Sequence, residues 1–240
     1  MKYPLITAHS GCMNTKPNTM ESILAGLKSG ADIVEVDVRA TKDGVAVLIH
    51  DDSISLQENI IRIEDVDYER LKRHNPEIVR LDEVLVQVRE YNRIFNLDLK
   101  DDAVVDPMIR TVKNTGMTDY VVLSGCGREK AAYIKENHRG FQVLLNADED
   151  WLLSKNADYG TFITMTCSDA VSVACCGINI NYEACREAFM EYACKRCLPV
   201  YLYTLDEAGL MKKYMNMGAY SITTNRVDLL QKVKNGGFIL

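Results

Sequence analysis

Short apolar segments of strand character alternate with helical patterns along the chain, and this alternation constrains the fold more than any other feature. Strands are read at 3–9, 32–38, 95–100, 119–124, 141–146, 177–180, 199–204 and 219–224. Helical patterns lie near 19–29, 81–93, 103–115, 127–137, 163–174, 183–195, 206–217 and 226–234. Eight strands, each followed by a helix, predict a parallel sheet closed into a (β/α)8 barrel. No repeat, low-complexity stretch or Pro/Gly/Ser-rich linker divides the chain, so 1–240 is expected to form one domain. The one long interruption, 51–80, falls between the second strand and its helix and is read as an insertion over the barrel mouth. Its helix-like part, 63–72, is charged rather than broadly apolar and offers little to a lipid surface.

The chain's 240 residues are 47% hydrophobic and 26% charged, enough apolar surface for a substantial core and incompatible with disorder. With 28 Lys+Arg against 34 Asp+Glu and no basic cluster, nucleic acid and anionic membranes are poor partners. No apolar run approaches the roughly 18 residues that span a bilayer. The N-terminal residues read as a strand rather than a secretory signal, and the expected location is the cytoplasm. Eight cysteines are spread without a disulfide framework and are expected as free thiols; Cys194-Lys195-Arg196-Cys197 has C-x-x-C spacing but no second pair and no neighbouring histidine.

In such a barrel the reactive groups stand at the C-terminal ends of the strands. In Ile33-Val34-Glu35-Val36-Asp37-Val38 the valines suit the helix-facing side, which turns Glu35 and Asp37 inward. In Asn96-Leu97-Asp98-Leu99-Lys100 the leucines face out, and Asn96, Asp98 and Lys100 face in. Glu35, Asp37 and Asp98 therefore converge, and buried like charges are costly without a cation or strong donors. An all-oxygen set of this kind suits a hard divalent cation, Mg²⁺ or Ca²⁺. The other reading is a metal-free ion network of Asp98 with Lys100. His9 closes the first strand and His50 closes Val45-Ala46-Val47-Leu48-Ile49, and together they are acid/base candidates. Ser124, Asn179, Tyr203 and Asn225 each end a strand and are candidates for substrate contact; His74 and His138 lie in polar segments without an assigned role.

Ala8-His9-Ser10-Gly11, Asn18-Thr19, Gly30-Ala31-Asp32, Glu35-Val36-Asp37-Val38, Thr41-Lys42-Asp43-Gly44 and Ile49-His50-Asp51 resemble, in order and spacing, the glycerophosphodiester phosphodiesterase family. Leu81-Asp82-Glu83-Val84-Leu85, Leu97-Asp98-Leu99-Lys100, Pro199 to Thr204 and Thr223-Thr224-Asn225-Arg226 extend the resemblance over nearly the whole chain. It implies a (β/α)8 barrel that hydrolyses glycerophosphodiesters to an alcohol and glycerol phosphate with one divalent cation. By position, Glu35, Asp37 and Asp98 would hold the metal, His9 and His50 would move protons, and Lys100 would stabilise charge on the phosphoryl group. The resemblance also implies attack by the substrate's own glycerol hydroxyl, through a cyclic phosphate that water opens. Ser10, Asn179 and Tyr203 would border the substrate.

The departures concern the pockets around that core. Ser10 stands where the family has Arg, and serine supplies neither charge nor a bidentate fork for phosphate. Arg39 is a nearby but out-of-phase substitute. Lys16-Pro17 precedes Asn18-Thr19 in place of the family's Glu, Asp98 replaces a longer Glu, Tyr203 replaces an aromatic that is usually Trp, and Asn225 replaces an Asp. The expected function is a metal-dependent phosphodiesterase with a small-molecule substrate. The alternatives are a non-catalytic barrel that binds phosphorylated ligands, and a related enzyme that releases a cyclic phosphate. The oligomeric state is open.

Overall fold

A computed structural model of the chain describes residues 4–56, 59–154 and 158–236. The first unit is β1 (Leu5–Ala8), α1 (Met20–Lys28) and β2 (Ile33–Ala40). After β3 (Ala46–Leu48) the insertion follows, with β4 (Ser53–Leu56), β5 (Asn59–Arg62), α2 (Tyr68–His74) and β6 (Val79–Arg80). The β/α alternation then resumes with α3 (Leu81–Val88), β7 (Ile94–Leu99), α4 (Val105–Asn114), β8 (Val121–Ser124), α5 (Arg128–Asn137) and β9 (Gln142–Asn146). Two helices, α6 (Glu149–Ser154) and α7 (Tyr159–Ser172), lead to β10 (Gly177–Asn181), α8 (Glu187–Lys195), β11 (Val200–Tyr203), α9 (Ala208–Asn216), β12 (Ser221–Thr224) and α10 (Val227–Lys234).

Eight of these strands form a closed parallel ring in the order β1, β2, β7, β8, β9, β10, β11, β12, with β12 returning to β1. The (β/α)8 barrel expected from the alternation is therefore present. Its wall is apolar on the side that meets the helices: Val34, Val36, Val38, Leu97 and Leu99 are buried there. The helices meet it with one apolar face each; on α4 this is Val105, Met108, Ile109 and Val112, spaced three, one and three apart. Burying each such side chain contributes about 2 kcal/mol. At two points the chain approaches too closely for a side chain. A Cβ on Gly26 of α1 would lie 2.7 Å from Ala8 Cβ, and one on Gly125, at φ +71°, would lie 2.4 Å from Leu99 O.

Element boundaries move by a few residues from those expected. The predicted helix over 81–93 ends its α part at Val88 and finishes in a 3-10 turn, and the helix expected at 163–174 begins earlier, at Tyr159. The helix α6 was not expected at all; six residues are too few for periodicity to separate from a loop. In the insertion, the stretch expected as a helix over 63–72 is a 3-10 turn at Ile63–Asp65 followed by α2, and its few apolar residues do have a purpose. Val47, Ile63, Val66, Tyr68, Leu71 and Ile78 form a small second core.

The segment ending in His50 also differs in kind. β3 runs antiparallel to β2 and pairs on its other side with β6, so it stands outside the ring. His50 reaches the mouth by way of a hairpin arm, not at the end of a barrel strand.

Candidate active site

Register sets the layers of the site. Glu35 on β2 lies beside Asn96 on β7, and one layer higher Asp37 lies beside Asp98, which lies beside Ser124 on β8. Oxygens of Glu35, Asp37 and Asp98 all come within 4.8 Å of one another, and no other group of three metal-ligating side chains occurs among the described residues.

The neighbours show how three carboxylates are tolerated here. Lys100 Nζ bridges two of them, at 2.7 Å from Asp37 Oδ1 and 2.6 Å from Asp98 Oδ2. Ser124 Oγ donates to Asp98 Oδ1 at 2.6 Å. Asn18 Nδ2 donates to Asp37 Oδ2 at 2.8 Å, while Asp37 N donates to Asn18 Oδ1 at 3.0 Å. Among the described residues Glu35 has only the Ser10 backbone N–H, at 2.9 Å. Burial, reinforced by Asp37 and Asp98, raises the Glu35 carboxyl well above the usual range. Burial also opposes the charge on Lys100, but Asp98 and Asp37 outweigh it and hold the ammonium above its ordinary pKa.

One ammonium thus faces three carboxylates. The buried Asn96 Oδ1, an acceptor in the same cavity, has no hydrogen-bond partner among the described residues. Surplus negative charge and an orphaned oxygen are what a hard divalent cation would satisfy, so the donor set fits one. The metal-free ion network is present as well, since Lys100 is the cation that Asp37 and Asp98 already share.

Of the eleven candidate site residues, nine border one cleft of about 370 Å³: His9, Glu35, Asp37, His50, Asp98, Lys100, Ser124, Asn179 and Tyr203; Asn225 contacts the site through His9. Ser10 borders an adjoining cleft of about 430 Å³ that shares His9, Asp37 and His50. Ser10 is buried, and its Oγ accepts from Asn18 N at 2.7 Å, so its visible contacts hold the loop before α1. His9 Nδ1 is 3.0 Å from Asn225 Oδ1. His50 is exposed, with 67% of its side chain accessible, and its Nδ1 is 3.0 Å from Asp51 Oδ1. Asn179 is buried on β10. Tyr203 donates its hydroxyl to Glu149 Oε1 at 3.2 Å; burial and the nearby Glu149 charge push its pKa up.

Arg39 donates to Asp101 Oδ2 at 2.8 Å and to the His50 carbonyl at 3.0 Å, so its guanidinium braces the arm that carries His50. Two residues with defined contacts in the site carried no role in the sequence reading. Asn18 was visible only as half of an Asn-Thr pair, and Asp206, which accepts from Asn225, gave no signal because its partner is 19 residues away. All eight cysteines are free, and Cys194 and Cys197 are exposed at the end of α8. No helix among the described residues is long and apolar enough to cross a membrane.

Fold and site together define a class: a (β/α)8 barrel with a cluster of carboxylate oxygens and two imidazoles at the mouth formed by the strand ends. Within that class, the model of the Glycerophosphoryl diester phosphodiesterase family matches residues 9–229, and the chain belongs to that family. Among curated relatives, the Bacillus subtilis protein YqiK is 28% identical over 145 residues, 53% of this chain and 60% of that protein. The Bacillus altitudinis glycerophosphodiester phosphodiesterase is 43% identical over 70 residues, 28% of this chain and 29% of that protein. The chain thus spans less than two thirds of these two relatives. A Mycobacterium tuberculosis protein named as a probable glycerophosphodiester phosphodiesterase 2 is 23% identical over 227 residues, 90% of this chain and 84% of that one.

Two solved structures share the fold. The glycerophosphodiester phosphodiesterase from Thermotoga maritima has a TM-score of 0.78 at 21% identity, covering 97% of this chain and 99% of that one. An Oleispira antarctica phosphodiesterase, solved with the product sn-glycerol-3-phosphate, has a TM-score of 0.79 at 18% identity and 97% coverage of both chains.

Proposed function

We propose that this protein hydrolyses a glycerophosphodiester to an alcohol and glycerol phosphate, using one divalent cation, Mg²⁺ or Ca²⁺. The observation that carries the reading is the convergence of Glu35, Asp37 and Asp98 in one cleft with Lys100, His9 and His50. The family and the product held by the Oleispira relative support the substrate class.

The cation, when bound by Glu35, Asp37 and Asp98, supplies Lewis-acid polarisation of a phosphoryl oxygen. Lys100, fixed by two carboxylates, presents its remaining charge to the same phosphoryl group. One imidazole takes the proton of the attacking hydroxyl, which is the substrate's own glycerol hydroxyl, and the other returns a proton to the leaving oxygen. Water then opens the cyclic phosphate. Asn179 and Tyr203 line the same cleft and would border the substrate. With Ser10 holding its own loop and Arg39 holding Asp101, positive charge for the phosphate comes from Lys100 and the cation. Phosphate binding is therefore expected to depend unusually strongly on the metal.

The test is to incubate the protein with glycerophosphocholine, glycerophosphoethanolamine and glycerophosphoglycerol, in Mg²⁺, Ca²⁺ or EDTA, and to quantify glycerol phosphate. Release is expected only with metal, and H9A or H50A should each lower kcat by about 10²–10⁴-fold. No release from any diester, with metal binding demonstrated by calorimetry, would leave a phosphate-binding barrel in place of an enzyme.

A further inference from the structure

What holds His9 dictates which of its nitrogens carries the proton. His9 Nδ1 is 3.0 Å from Asn225 Oδ1. The carboxamide of Asn225 is in turn held by Asp206. Asn225 Nδ2 donates to Asp206 Oδ2 at 2.8 Å, and Asn225 N donates to Asp206 Oδ1 at 2.7 Å. Thr224 Oγ1 donates to that same Oδ1 at 2.9 Å. A carboxylate only accepts, so the amide nitrogen of Asn225 must face Asp206 and its oxygen must face the histidine. An amide oxygen also only accepts, so the ring nitrogen opposite it must be the one that bears hydrogen.

We propose that Asp206, acting through Asn225, holds neutral His9 as its Nδ1–H tautomer and leaves the Nε2 lone pair for the cleft. Asp206 and Asn225 are positioning residues in this arrangement. The catalytic consequence rests on the phosphodiesterase reading above. The attacking hydroxyl oxygen forms the new P–O bond while its proton passes to His9 Nε2. The P–O bond to the alcohol breaks, and the leaving oxygen takes its proton from His50.

D206N tests the chain of donors and acceptors. The Oδ1 place already accepts two donors, one of them a fixed backbone N–H, so the new amide nitrogen must take the Oδ2 place. There it meets another N–H donor and turns the Asn225 amide over, nitrogen toward His9, which moves the ring proton to Nε2. Adding N225D restores an acceptor against His9 and gives the new amide an oxygen to donate to.

The experiment is ¹⁵N–¹H long-range NMR on the ¹⁵N-histidine-labelled full chain at about pH 8, where an ordinary imidazole is neutral. The chain has four histidines, and His9 is assigned by its loss in H9A. Expected are Nδ1–H in the wild type, Nε2–H in D206N, and Nδ1–H again in D206N/N225D, with thermal melts confirming that each is folded. In parallel, kcat should fall by ~10²-fold in D206N at nearly constant KM, and recover in the double variant. A wild-type ring protonated at Nε2, or a folded D206N that keeps Nδ1–H, overturns the proposal. The tautomers are read whether or not any diester is cleaved. An inactive wild type with the expected tautomers therefore refutes the phosphodiesterase reading and leaves this one standing.

Discussion

Asn18 engages both ends of its carboxamide on a single residue, giving to the Asp37 carboxylate and taking from the Asp37 backbone. It does so from the left-handed region, at φ +58°, a conformation that Asn adopts more readily than most residues. The effect is to lock one carboxylate of the cluster in rotamer and in height before any cation arrives. N18A removes the brace and leaves the buried Asp37 N–H without its acceptor. Mg²⁺ or Ca²⁺ affinity, measured by calorimetry, should fall by about 10–100-fold, the usual cost of losing a residue that orients a metal ligand. Stability should fall by about 1–3 kcal/mol, read from a denaturant midpoint. Unchanged metal affinity would mean that Lys100 alone orients Asp37.

At the scale of elements, the hairpin arm formed by β2 and β3 decides where His50 stands, and Asp43 at its turn ties that arm to the insertion. Asp43 Oδ1 accepts from Thr41 Oγ1 at 2.6 Å within the turn and from Tyr68 N at 3.0 Å, the first N–H of α2. It thereby caps a helix whose own N-cap residue, Asp67, makes no side-chain cap. Burial alone would raise the Asp43 carboxyl, but these hydrogen bonds and the Arg80 charge outweigh it and draw its pKa below the ordinary value. A depressed folded pKa contributes stability that is present above the unfolded value of about 3.9 and is lost as pH falls through the folded one. D43N, which imitates the protonated form, should therefore be less stable than wild type at pH 7 by about 0.5–1 kcal/mol, modest because Asp43 is exposed. The difference should shrink in paired thermal melts as pH falls below the ordinary carboxylate range and through the depressed folded value. A constant difference across pH would show that geometry, not charge, fixes the arm.

Across the whole molecule, closing the ring is what gathers the charges. β2 and β7 are separated in sequence by the insertion and α3, yet their in-register pairing sets Asp37 beside Asp98. The native state alone assembles this site, so a cation that binds it stabilises folding by mass action. At about 100 times Kd the gain is about 2.7 kcal/mol, which for a chain of this length corresponds to a rise in Tm of roughly 5–10 °C. EDTA should reverse the rise, and D98N should abolish most of it. A Tm indifferent to both cations would indicate that Lys100 is the site's resident cation.

The amino-acid sequence by itself determined the barrel, because eight strand–helix alternations are local periodicities, and it determined which face of β2 and β7 is polar, because side chains alternate along a strand. Val34 and Val36 against Glu35 and Asp37 left no other orientation with an apolar wall. The boundaries of α6 and of the insertion's helix were beyond it, since six or seven residues carry too little period. So was the path of His50, which depends on β3 pairing antiparallel outside the ring. The partners of the candidate residues belonged to the tertiary structure alone. Asn18 on Asp37, Ser124 on Asp98 and Asp206 behind Asn225 are hydrogen bonds across 19 to 26 residues, made where separate loops and strands meet at the barrel mouth. Periodicity records which way a side chain points, whereas only the closed ring decides what it meets.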